Sequence, residues 1–153
     1  MNMYPKEFIN HVLINEYKDI VDRHAYLSFT LIAIGIEFLG KCMLTSKQDW
    51  NHISLDTAFK EGVKLLVEAD NRYSPLDLKD ELRNGLAHTL LPKSKLDLCE
   101  VKSGEQHFGT NKHGQTILLA EVFYRDFVIG CKRVLGMTFP DSDKMNKDFL
   151  RTS

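Results

Sequence analysis

The twenty residues Ala25–Leu44 constrain this chain more than any other segment. They are predicted to form one helix that is apolar on nearly every face, and such a helix belongs at the centre of a fold with other elements laid around it. Its few polar positions, Thr30, Glu37 and Lys41, fall close together on a helical projection. A carboxylate among apolar neighbours needs a partner once buried. Lys41, one turn further on, offers one such partner to Glu37, and Arg83 offers another from across the fold.

The rest of the chain supplies helices to surround this one. Phe8, Ile9, Val12, Leu13, Tyr17, Ile20 and Val21 recur at spacings of three and four, predicting an amphipathic helix that Pro5 can start. Residues 47–52 read as a polar connection. Ser54 is then placed to cap a third helix carrying Leu55, Phe59, Val63, Leu66 and Ala69. The run Ser74-Pro75-Leu76-Asp77 offers a capping serine, a proline at the first helical position and an acid three residues after the cap. It predicts a fourth helix over about residues 75–90, stopped by Pro92.

Beyond it, Leu96, Leu98 and Val101 alternate with polar residues, and turn signals follow at Ser103-Gly104-Glu105 and Asn111-Lys112-His113-Gly114. These predict a short β-hairpin or an irregular flap. A last helix is expected from about Ile117 to Leu135, carrying Leu118, Leu119, Val122, Phe123, Phe127, Ile129 and Val134. The expected fold class is mostly α, a four- to five-helix up-and-down bundle with a small β-hairpin before the last helix. One domain is expected over residues 1–140, followed by a polar tail over 141–153.

Charge and cysteine usage narrow the functional classes. With 153 residues the chain is the size of one domain, and its net charge of −1 argues against a general electrostatic grip on nucleic acid. A small local basic site is compatible with that charge. Cys42, Cys99 and Cys131 are widely spaced and form no C-x-x-C pair, so neither a zinc site nor a disulfide framework is expected. The first residues contain no apolar signal core, and the apolar run 31–39 is short and interrupted by Glu37. A cytoplasmic protein without membrane contact is the expectation.

The chemistry concentrates in Arg83-Asn84-Gly85-Leu86-Ala87-His88. A guanidinium is permanently charged and presents a planar fork of donors suited to phosphate oxygens. An imidazole gives or takes a proton near neutrality. Neither needs a metal, and together they point to cleavage of RNA. On a regular α-helix Asn84 and His88 lie about 40° apart and share a face, whereas Arg83 and His88 diverge by about 140°. A long arginine can bend round, or two helices in a dimer can complete each other's site. Plainer roles exist as well: His88 can serve the helix dipole, and Arg83 can be a solvated charge beside Lys79 and Asp80. His11, His24 and His52 are isolated, His107 and His113 fall in the flap, and Lys132 and Arg133 read as exposed charges.

The helical pattern, the Arg83-Asn84-(x3)-His88 spacing and a hairpin before the last helix together resemble a HEPN domain over roughly residues 5–136. The family signature is an arginine, four to six residues and a histidine, often with Asn, Asp or His after the arginine. The segment Gly35-Ile36-Glu37-Phe38-Leu39-Gly40 is also similar to a motif on an earlier helix of some bacterial HEPN groups. The resemblance implies a metal-independent endoribonuclease without cofactors, usually a homodimer whose motif helices meet in a shared cleft. Such proteins serve bacterial toxin–antitoxin or phage-defence systems, often silenced by an antitoxin of the nucleotidyltransferase type. RNA would be cut by attack of its own 2′-hydroxyl, leaving a 2′,3′-cyclic phosphate, with DNA inert. Arg83 would stabilise the phosphate, His88 would move protons, Asn84 would orient His88 or donate to phosphate, and Glu37 would support the site. The alternative is a non-catalytic HEPN-like module that binds a nucleotide or a protein partner.

Overall fold

A computed structural model describes residues 4–45, 50–66 and 71–137 of this chain. It is mostly helical, with one two-stranded sheet. The expected polar tail and the core position at Ala69 lie outside the described residues.

Helix α1 starts at Pro5 and runs through an α-helical turn (Pro5–Phe8), a π-helical stretch (Ile9–Glu16) and a second α-helical part (Tyr17–Arg23). Glu7 folds back to accept the Tyr4 N–H at 3.1 Å, closing the helix start. At His24 the backbone leaves helical geometry (φ −140°, ψ 59°) and the next helix begins at once. This is α2, Ala25–Leu44, with Phe29, Ile32, Ala33, Ile36 and Leu39 all buried. The helix has the bounds expected from the sequence. By length and composition it could cross a membrane, yet 61% of its most apolar window is buried inside the fold.

Helix α3, Leu55–Val63, opens with the expected cap: Ser54 Oγ accepts the Thr57 N–H at 3.1 Å. It ends earlier than its periodicity suggested, although Leu65 and Leu66 remain buried past its end. Helices α2 and α3 make the most extensive contact in the fold, and two glycines allow it. A Cβ added at Gly40 would sit 1.6 Å from the Ala58 carbonyl oxygen, and one at Gly62 would sit 2.0 Å from that of Ile36. The two backbones therefore touch, with no side chain between them.

The fourth helix does not start where the serine and proline predicted. Ser74–Leu76 is a 3₁₀ turn, Asp77 takes a left-handed conformation (φ 50°), and no side chain caps the helix that follows. The cause lies one residue earlier. Tyr73 is buried and its hydroxyl is bonded to Asp126, so the chain must turn once more before a helix can leave it. Helix α4 comprises a π-helical stretch, Lys79–Leu86, and a last α-helical turn, Ala87–Thr89. Leu90, left-handed at φ 60°, ends it two residues before Pro92. Buried Glu81 then accepts backbone N–H groups of Ser94 and Lys95, tying the outgoing chain to the helix.

The expected hairpin is also corrected. Strands β1 (Leu96–Cys99) and β2 (Thr116–Leu119) pair in parallel, with Leu96 opposite Thr116 and Cys99 opposite Leu119. Parallel pairing needs a crossover, and the flap between the strands provides it. Within the flap the predicted turn does form: Asn111 Oδ1 accepts from His113 and Gln115 N–H, Gly114 has φ 77°, and a Thr110–Thr116 bridge closes it. Ile117, Leu118 and Leu119 belong to the buried strand rather than to the last helix, so α5 spans Ala120–Leu135. A short apolar run of this kind suits a buried strand and a helix equally by periodicity.

Gly40→Ala and Gly62→Ala should each lower the unfolding free energy by about 1–3 kcal/mol, because the helices must part to admit a methyl group. Gly136→Ala, which meets nothing closer than 3.5 Å, is the control and should change it little. Urea denaturation of the three variants checks this, and an unaffected Gly40→Ala would contradict the close backbone contact.

Candidate functional site

Arg83 projects from α4 toward the central helix, where its Nε donates to Glu37 Oε2 at 3.3 Å. The two side chains are 29% and 8% exposed. The partner for Glu37 across the fold is thus realised, with Lys41 half-buried one turn away. The guanidinium's terminal nitrogens take no acceptor among the described residues. Glu37 Oε1 is the single buried side-chain polar atom among them without a hydrogen-bond partner.

Asn84 is half-buried on α4, one turn on from Asp80. Lys93, 2.6 Å from Asp80, holds that carboxyl below the usual range, and Asn84 adds to the effect. No hydrogen bond between Asn84 and His88 is formed among the described residues. His88 stands exposed in the last turn of α4. A π-helical ladder closes from residue i to i+5, so residues five apart turn less far from each other than on a regular α-helix. The Lys79–Leu86 stretch contains Arg83 and reduces its divergence from His88 accordingly.

The middle of the motif is fixed by close packing. A Cβ on Gly85 would lie 3.1 Å from the Leu91 carbonyl oxygen and 3.3 Å from the Lys93 nitrogen, because the chain returns across the helix at that point. Thr89 Oγ1 donates to the Gly85 carbonyl at 2.8 Å. Beside His88, Leu90 and Leu91 are largely exposed, as are Tyr26, Leu27 and Ile34 on α2. Tyr26 joins the two groups by donating to the Leu90 carbonyl at 2.6 Å.

Two other features carry polar groups. A cavity of about 460 Å³ lies between α3 and the start of α4 and excludes the motif residues. Four of its charged residues are paired, Lys79 with Asp56 and Lys64 with Glu61. The second feature escaped the sequence: a buried chain of hydrogen bonds from the flap to α5. The Leu119 N–H donates to His107 Nδ1 at 2.9 Å, which leaves the ring proton on Nε2. That nitrogen lies 2.9 Å from the Tyr73 hydroxyl, which itself donates to Asp126 Oδ2 at 2.6 Å. Phe108 stacks beside this group at φ 63°, with Arg72 over its ring at 4.7 Å. Burial pushes the Tyr73 hydroxyl well above its ordinary range and pulls His107 down to about 4, with Arg125 and Arg72 assisting and Asp126 opposing. The one signal available was Asp126, an acid inside an apolar helix like Glu37.

Among the described residues no group of three His, Cys, Asp or Glu side chains is arranged to hold a metal. The motif region therefore offers a guanidinium with free donors, an exposed imidazole and a buried carboxylate oxygen awaiting a donor.

The His107 network sets a pH dependence whose sign follows from linkage. Folded His107 takes its proton near pH 4 and unfolded His107 near 6.5, so the unfolded chain binds more protons between these values. The stability is complete above pH 6.5 and is lost as the pH falls towards 4. Denaturation at pH 7 and pH 5 should show this loss, and His107→Gln should flatten it. Asp56 and Asp80, held low by Lys79 and Lys93, lose their contribution only further into acid. Tyr73→Phe removes the donor to Asp126 and should cost about 1–3 kcal/mol at pH 7; a neutral result would dismiss the network.

Searches of protein-family models, curated proteins and solved structures returned no match to this chain.

Proposed function

We propose that this chain is a HEPN-type, metal-independent endoribonuclease that works as a homodimer of up-and-down helical bundles. The observation that carries the proposal is the setting of Arg83: one nitrogen is engaged by Glu37, the terminal nitrogens meet no acceptor among the described residues, and exposed His88 follows five residues on. Free guanidinium donors suit the extra negative charge that a phosphodiester gains as the 2′-hydroxyl attacks. His88, open to solvent, moves a proton, an effect of roughly 10²–10⁴-fold in such reactions. The expected product is a 2′,3′-cyclic phosphate, and DNA, which lacks the nucleophile, is inert.

Dimerisation is supported by the exposed apolar side chains Leu90 and Leu91 after His88 and by Tyr26, which bonds the Leu90 carbonyl. A second copy packed there would bring two motif helices together. A bacterial cytoplasmic role in toxin–antitoxin or phage defence, with a nucleotidyltransferase-type antitoxin, accompanies this reading through the HEPN resemblance alone. One observation favours a non-catalytic binding module instead. His88 has no hydrogen-bond partner to orient its ring among the described residues.

Total RNA incubated in EDTA with wild type, Arg83→Ala and His88→Ala separates the two. A nuclease should cut, and each substitution should reduce the rate by about 10²-fold or more. A binding module should leave RNA intact while its melting temperature rises with a nucleotide or protein ligand. Cutting that survives His88→Ala would place the activity elsewhere.

A further inference from the structure

The buried oxygen of Glu37 that lacks a partner sits on the same carboxylate that grips Arg83. A carboxylate accepts hydrogen bonds and donates none, so whatever completes Oε1 must bring a donor. It must also tolerate a negative group beside it, which disfavours a free phosphate dianion. A phosphodiester drawn to Arg83 answers both requirements when a hydroxyl stands next to it, and in RNA that hydroxyl is the 2′-OH. Arg83 holds Glu37 by one 3.3 Å contact through Nε. A phosphate pulling on its terminal nitrogens loosens that contact and uncovers the carboxylate at the point where the 2′-OH arrives.

We propose, resting on the ribonuclease reading above, that Glu37 is the catalytic base and His88 the acid. The 2′-OH proton passes to Glu37 Oε1 as O2′ bonds to phosphorus. The P–O5′ bond then breaks, and O5′ departs with a proton from His88, leaving the 2′,3′-cyclic phosphate. Glu37 ends protonated and His88 deprotonated, and exchange with water resets both. Arg83 links the two roles by taking the phosphate charge that Glu37 would otherwise repel. Acid and base are then different residues, and one protomer holds both without a second histidine.

The test compares two short RNAs in EDTA, one ordinary and one whose 5′-bridging oxygen at the cut is replaced by sulfur, a leaving group that needs no proton. On ordinary RNA, Glu37→Gln should lower kcat by roughly 10²–10⁴-fold with KM within a few-fold of wild type, its melting curve showing a folded protein. On the sulfur substrate, His88→Ala should recover most of its lost rate and Glu37→Gln should not. Recovery by Glu37→Gln, or none by His88→Ala, overturns the assignment of roles. Wild-type cleavage that Glu37→Gln leaves unchanged overturns this proposal and spares the ribonuclease reading, whereas a folded wild type that cuts neither RNA overturns both. If Glu37→Gln fails to fold, the sulfur rescue of His88→Ala decides alone: without rescue His88 is not the acid and the proposal falls.

Discussion

The contact between α2 and α3 at Gly40, Ala58 and Gly62 is the constraint on which the rest of the molecule depends. Helices whose backbones touch have a single register, since any slide would drive a carbonyl into a turn of the neighbour. That register sets the height of every other residue on α2. Glu37 lies one turn before Gly40, so its level in the fold is decided by a contact one turn along the same helix. The aromatic layer follows the same logic: Tyr17 stacks on Phe127 and Phe29 on Phe123, and Phe127 fills the space that a side chain at Gly35 would occupy. With α1, α3 and α5 so placed, α4 can lay Arg83 across to Glu37.

The three buried carboxylates among the described residues, Glu37, Glu81 and Asp126, are treated in different ways. Glu81 is saturated by the amides of Ser94 and Lys95, and Asp126 accepts from Tyr73. Both are structural ties, one holding the chain after the motif and the other holding the flap. Among the described residues Glu37 alone keeps a buried oxygen unsatisfied. Leaving a buried acceptor unmade costs about 1–3 kcal/mol or more for a charged group, and the fold satisfies its other buried acids. The contrast within one molecule is what separates Glu37 from a packing accident.

Much of this was legible in the sequence. The central helix announced itself by apolarity on all faces, Ser54 by its position before a periodic run, and Glu37 by being an acid where none belongs. The failures share a cause. Ser74-Pro75 satisfies every local rule for starting a helix, yet Tyr73 beside it answers to Asp126, more than fifty residues away. The alternating residues around Leu96 imply a strand but say nothing about the direction of its partner, which depends on how the flap is pinned by His107. Asn84 and His88 share a face of a regular α-helix, but the π-helical stretch that contains Asn84 changes the angle between them. Local pattern predicts elements; contacts between distant residues decide where they start and which way they run.

The π-helical stretch of α4 has a consequence best put in terms of residue count. A π-helical segment is what an α-helix becomes when it accommodates one residue too many. Remove that residue, and the arginine and histidine would stand four apart on a regular α-helix, on one face by simple geometry. The five-residue spacing and the widened helix are then two descriptions of a single surplus residue, absorbed by the backbone rather than passed on to the loop. The glycine between the two motif side chains completes the accommodation, giving the thickened helix room beneath the chain that crosses it.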